Sequence, residues 1–131
     1  MAGSGTSRKL VLVVDPDPRF RASLRGPLEA AGFAVGEAVN GREGERTLRR
    51  VHVDAIIVDV MVESLDPAGP VAEKLRAAGS RMPVYVFTEA ALAVRENIDF
   101  DAMNIAGVFP KPFDVQAIIK TLKTRLKVVD R

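Results

Sequence analysis

The chain has no cysteine. That excludes disulfides, thiol catalysis and cysteine-ligated metal in one step, and it suits a reducing, cytoplasmic compartment. It has one histidine, His52, so paired imidazoles cannot build a site, and a solvated place at a helix end is the expectation for it. No apolar run approaches the roughly 20 residues that a bilayer-crossing helix needs. The stretch Met1–Ser7 is small and polar, without the hydrophobic segment of a signal peptide, and reads as a loose tail. Charge of one sign is also lacking: 19 basic residues face 17 acidic ones. An excess of two charges does not make a polyanion-binding surface, so no direct nucleic-acid partner is expected. Internal repeats, linkers and low-complexity stretches are absent. What remains is 131 residues, one domain's worth, able to bury roughly two-thirds of its unfolded surface. The expected organisation is a tail over 1–8, one domain over 9–128 and a short tail over 129–131.

Within that domain, strand-like and helix-like patterns alternate. Leu10–Val14 is a continuous apolar run ending in Asp15. Pro18 opens a helix whose inner face is Phe20, Leu24, Leu28 and Ala31, with a kink expected at Pro27 and a stop at Gly32. Phe33–Val39 is a second strand. Asn40 caps a helix to about Val51. Ala55–Val58 is the third strand, ending at Asp59; a loop follows, then a helix from about Pro67 to Ala78, stopped by Gly79. Val84–Phe87 is the fourth strand, ending at Thr88, and Ala90 to about Met103 reads as one helix. Gly107–Phe109 is a short fifth strand before Pro110, Lys111 and Pro112. Asp114 caps the last helix, with Val115, Ile118, Ile119, Leu122 and Leu126 inward and Lys120, Lys123 and Lys127 on its wet side. Alternation of this kind predicts an α/β fold: a doubly wound, flavodoxin-like parallel sheet of five strands in the order 2-1-3-4-5, with five helices on its two faces.

In such sheets ligands sit beyond the carboxyl ends of the strands, where the strand order reverses. Strand one ends in Asp15, with Asp17 close behind; strand three ends in Asp59, strand four in Thr88, and strand five leads into Lys111. Strands one and three are neighbours, so Asp15 and Asp59 should approach. Two close carboxylates repel unless a proton or a cation sits between them, and Mg²⁺, a hard ion with oxygen ligands, suits the pair. A lysine and a hydroxyl beside them supply a cation and a donor for an anion's oxygens. Together these groups describe phosphoryl transfer to an aspartate nucleophile. Each residue alone has a plainer reading: Asp15 as a helix cap, Thr88 as a strand end, Lys111 as a loop charge. Their coincidence at four strand ends is what points to one site.

The segments KLVLVVDPDP, DAIIVDVMV, MPVYVFT and KPFD together resemble the receiver domain of two-component response regulators, from about Lys9 to Leu126. The resemblance implies that Asp59 is the phosphoryl acceptor, Thr88 the hydroxyl residue, Lys111 the lysine of the lysine–proline motif, and that Asp15, Asp17, Asp59 and the backbone carbonyl of Met61 are the Mg²⁺ ligands. It implies a sensor histidine kinase or phosphotransfer protein as donor and a downstream protein as target, with the chain a monomer or weak homodimer, away from membranes, and not an enzyme beyond slow self-dephosphorylation. The chain departs from the family's pattern at four places. Pro16 stands where the second adjacent acid is usual, which predicts weak Mg²⁺ binding. Val108 stands where a switch aromatic is usual, and Phe109 should face the opposite way. Glu89 replaces a small residue beside the site, and Glu63 replaces a proline four residues after Asp59.

Two other classes of function remain open on these residues. The same fold can act as a pseudo-receiver, an unphosphorylated binding module. The segment VVDPDP also resembles the Asp-x-Asp motif of haloacid-dehalogenase-type phosphatases, but those enzymes need metal-binding acids past the lysine, where this chain offers only Asp114 and Asp130. A flavin-binding reading is weaker, because an acidic first loop repels a nucleotide phosphate. With no output domain expected past Leu126, signalling is expected to run through contact with another protein.

Overall fold

The computed structural model describes residues 8–65 and 70–128. Five strands, β1 (Leu10–Val14), β2 (Ala34–Ala38), β3 (Ala55–Asp59), β4 (Val84–Thr88) and β5 (Gly107–Pro110), form one sheet in the order β2-β1-β3-β4-β5. Every pairing is parallel. This is the flavodoxin-like fold expected from the alternation of strand and helix patterns.

The near-continuous apolar strands arise because both sheet faces are covered. Successive side chains alternate faces, and two cores result. Val11, Val13, Ala55, Ile57, Tyr85, Phe87 and Phe109 pack against α1 (Pro18–Ala30) and α6 (Val115–Leu126) through Leu24, Leu28, Ile118, Ile119 and Leu122. Leu12, Val14, Ile56, Val58, Val84 and Val86 pack on the other face, against Val71 and Ala72 of α4 (Val71–Ala77) and Leu48 of α2 (Gly41–Arg50). Phe109 is buried and Val108 is 38% exposed, so the aromatic of β5 points to the α1–α6 side, as expected.

The helix boundaries follow local chemistry. Asn40 accepts from the Glu43 amide and Asp114 from those of Gln116 and Ala117, the two caps read from the sequence. Gly32 leaves α1 at φ +104° and Gly79 follows α4 at φ +80°, a region that suits glycine. Helix α1 extends across Pro27. His52 is solvent-exposed, with its Nε2 3.0 Å from Asp54 Oδ1.

Three local expectations are corrected. No loop follows Asp59: α3 (Val60–Leu65) begins at the next residue, because Val60 and Val62 are buried and draw the chain back under the sheet. The single helix expected over 90–103 is two pieces, α5 (Ala90–Arg95) and a 3-10 turn (Phe100–Met103). Asn97 breaks it by entering the left-handed region at φ 51°, which asparagine tolerates, and Asp99 caps the turn through the Asp101 amide. The helix count is therefore six among the described residues, not five. The expected helix start at Pro67, the tail 1–7 and Asp130 lie outside the described residues.

Candidate functional site

The first acidic loop is a chain of side-chain-to-backbone bonds. The Asp15 amide donates to the Ala38 carbonyl at 3.0 Å, continuing the ladder one residue past β1. Its carboxylate oxygen Oδ1 accepts the Asp17 amide at 2.8 Å, and Asp17 Oδ1 accepts the Arg19 amide at 2.9 Å, capping α1. Arg21 Nη1 donates to the Asp15 carbonyl at 2.5 Å while its Nε donates to Glu37 on β2 at 2.9 Å. Glu37 also accepts from Arg25, whose hydrogen bond does most to hold that carboxyl below its ordinary range. Asp15 is thereby fixed at both its backbone and one carboxylate oxygen, and it is only 2% exposed.

Asp59 ends β3, one residue beyond Val58, which pairs with Val14 of β1. Its Oδ2 accepts the Met61 amide at 3.0 Å. Lys111 follows β5, its backbone amide tied to the Thr88 carbonyl at 2.9 Å. From there its Nζ reaches Asp59 Oδ1 at 2.8 Å and Asp15 Oδ2 at 2.9 Å. The ammonium also lies 4.1 Å from the centroid of the Phe20 ring. Burial by itself pushes the lysine down, but the hydrogen bonds to Asp59 and Asp15 and the attraction of both carboxylates outweigh it and raise it above 10.5. The site is a cation clamped between two carboxylates at the carboxyl edge of the sheet.

Of the residues expected there, Asp15, Asp59 and Lys111 converge. Thr88 is buried at the end of β4, and its hydroxyl donates to the Glu89 carbonyl at 3.1 Å. Asp17 is exposed and spent on the α1 cap, so it does not complete a three-acid cluster; among the described residues no three acidic or histidine side chains are arranged to hold a metal. Met61 lies in the first turn of α3 and meets Asp59 through its amide. Glu89 is exposed. Arg21, Glu37 and Phe20 shape the site; of these only Phe20 was named from the sequence, as an inner-face residue of α1 and not as part of the site. Arg21 follows Phe20 in the first turns of α1, where only the fold shows that its reach ends at the Asp15 carbonyl.

The donor set is all oxygen, and its two carboxylates already share one cation. That arrangement fits Mg²⁺, which is commonly held by one or two carboxylates with waters completing the shell.

A family model described as the response regulator receiver domain matches residues 11–123. The chain belongs to the response regulator receiver family. Response regulator MprA of Mycolicibacterium vanbaalenii is 32% identical over 117 residues, which cover 89% of this chain and 50% of that protein, and MprA of Mycobacterium leprae gives the same figures. The chain thus spans about half the length of the curated relatives it matches. Among solved structures, chemotaxis response regulator CheY4 of Vibrio cholerae is 26% identical with a TM-score of 0.70, covering 92% of this chain and 99% of that one. The receiver domain of sensor histidine kinase PA1611 from Pseudomonas aeruginosa, described with magnesium coordinated in its active-site cleft, shares the fold at 22% identity and a TM-score of 0.76, over 92% of this chain and 99% of that one. Receiver domains are in general phosphoryl acceptors of two-component systems that bind Mg²⁺ in this cleft. No helix among the described residues of this receiver is long and apolar enough to cross a membrane.

Replacing Lys111 by alanine tests the clamp. The variant leaves Asp15 buried and facing Asp59 without a counter-charge, so it should lose about 1.5–3 kcal/mol of stability. It should also bind divalent cations more tightly than wild type, because an ion then replaces the lost ammonium. Urea unfolding and Mg²⁺ titration read the two effects; unchanged stability would mean that the clamp is too well solvated to matter.

Proposed function

We propose that this receiver takes a phosphoryl group from a sensor histidine kinase or phosphotransfer protein onto Asp59, in the cytoplasm, and signals through contact with a downstream protein. The observation that carries this reading is the Lys111 ammonium held 2.8 Å from Asp59 Oδ1 and 2.9 Å from Asp15 Oδ2. An Asp59 carboxylate oxygen attacks phosphorus, an O–P bond forms, and the bond to the donor's imidazole nitrogen breaks, the nitrogen's electron pair taking up a proton. Lys111 sits where it can neutralise a phosphoryl oxygen, and Thr88 at the neighbouring strand end is assigned a second one, its hydroxyl turning from the Glu89 carbonyl. Mg²⁺, when bound, supplies further neutralisation of the same charge. Asp15, Asp59 and the Met61 carbonyl are its assigned ligands, with Asp17 left on the helix cap. The domain is assigned to residues 9–128, acting as a monomer or weak homodimer.

Incubation with acetyl phosphate and Mg²⁺, followed by intact mass measurement, tests the reading. A mono-phosphorylated chain supports it. Absence of label favours the pseudo-receiver reading, an unphosphorylated binding module, for which Pro16 and the engaged Asp17 are the specific observations.

Pro16 has its own test. Pro16→Asp adds a charge beside Asp15 and removes a ring that constrains the loop. Without metal the added repulsion should lower stability; with Mg²⁺ the variant should bind the ion more tightly than wild type. Titration of both proteins decides, and equal affinities would mean that the missing acid is no defect.

A further inference from the structure

We propose that Phe20 is a positioning residue for Lys111, its ring face holding the ammonium in register with Asp15 and Asp59; this rests on the reading of Asp59 as acceptor. An ammonium has three donors, and two of those of Lys111 are directed to carboxylates. Its remaining side meets the Phe20 ring, 4.1 Å from the centroid, well inside the range in which a cation is attracted by the negative face of an aromatic ring. The site is partly desolvated, with the lysine side chain 21% exposed and Asp15 and Asp59 at 3% and 14%, and desolvation strengthens such contacts.

The orientation of the ring is set by its neighbours. Phe87 packs edge-on to it at 4.8 Å and 86°, and Phe113 at 5.6 Å and 87°. Phe87 is buried in β4, one residue before Thr88, and Phe113 lies two residues after Lys111. The ring therefore cannot turn its edge to the ammonium without repacking both neighbours. Phe87 in turn touches Phe109, which stacks on Tyr85 at 5.1 Å. Phe20 thus joins the lysine to the aromatic core beneath α1 and α6. An aliphatic side chain at this position would fill part of the same space but present no negative face. Lys111 would then be held by the two carboxylates alone, with nothing to fix the third side of its ammonium.

The test uses the full chain with Phe20→Leu and Phe20→Tyr. The first readout is the NMR signal of the Lys111 ammonium at neutral pH without phosphoryl donor, which reports hydrogen exchange and ring-current shift at Nζ itself. The second is the rate of labelling by acetyl phosphate with Mg²⁺. We expect Phe20→Leu to lose or broaden the ammonium signal and to label roughly five- to tenfold more slowly, and Phe20→Tyr to keep both near wild type. A sharp, wild-type-like ammonium signal in Phe20→Leu, or equal loss in both variants, overturns the proposal. If wild type never labels but its ammonium signal is sharp and lost only in Phe20→Leu, positioning stands and the acceptor reading fails.

Discussion

Asp59→Asn is expected to abolish phosphoryl labelling while the protein stays folded. The change removes the nucleophilic oxygen pair and keeps the shape of the side chain. The amide can still accept from Met61, whose N–H lies 3.0 Å from Oδ2. That leaves no oxygen for Lys111, whose ammonium now faces the amide N–H₂ where Asp59 Oδ1 accepted it at 2.8 Å. The loss in stability is therefore one charge-assisted contact on a partly exposed lysine, discounted for solvent screening, of about 1 kcal/mol. The loss in labelling should be complete, because the Asp15 side chain is only 3% exposed, against 14% for Asp59, and is the less open to an incoming phosphoryl donor. Intact mass after acetyl phosphate treatment reads the first effect and urea unfolding the second. Undiminished labelling would place the acceptor elsewhere, with Asp15 or Asp17 the next candidates.

The second large effect is expected at Glu63, which is 1% exposed in α3. Its two carboxylate oxygens accept the amides of Val71 and Ala72, each at 2.8 Å. Those amides open α4, whose own N-cap, Pro70, offers no side-chain bond. Glu63 is thus the cap of α4, supplied from the helix that follows Asp59. Glu63→Ala leaves two buried N–H groups without partners, at about 1–3 kcal/mol each. Glu63→Gln restores one acceptor and sets an N–H₂ against the other amide, so it should lie between. The pH dependence follows from the same burial. Desolvation pushes the Glu63 carboxyl above 4.5, and the Ala72 and Val71 amides offset that only in part. A folded state that holds this proton more tightly than the unfolded chain is favoured toward acid and loses that advantage as pH rises from 4.5 through the raised value. The Gln variant should lack this fall. Urea unfolding at a series of pH values measures both, and an alanine variant as stable as wild type would remove Glu63 from any capping role.

These two residues show what kind of information a sequence carries. Asp59 ends an apolar run and is legible from position alone. Glu63 was legible only as a departure from a family's usual proline. Its partners lie eight and nine residues away, across a segment whose path no local pattern gives. Phe20 was legible as an inner-face residue of α1. That its ring would face an ammonium 91 positions further along could not be read, since no periodicity links α1 to the loop after β5. The break in the expected 90–103 helix is of the same kind: Asn97 is compatible with a helix, and only its surroundings select the left-handed turn.

Strand order, the two-faced core and the placement of Asp15, Asp59, Thr88 and Lys111 at strand ends were determined by the sequence alone. The reason is that burial on both sheet faces imposes long apolar runs, and parallel connections then leave few topologies. Tertiary structure alone decided how those residues divide their bonds. Lys111 joins Asp15 to Asp59, Asp17 goes to the helix cap, and Glu63 closes α4. Each choice is a competition among hydrogen-bond partners brought near only by folding, and a competition between distant groups is settled by distance, which sequence order does not contain.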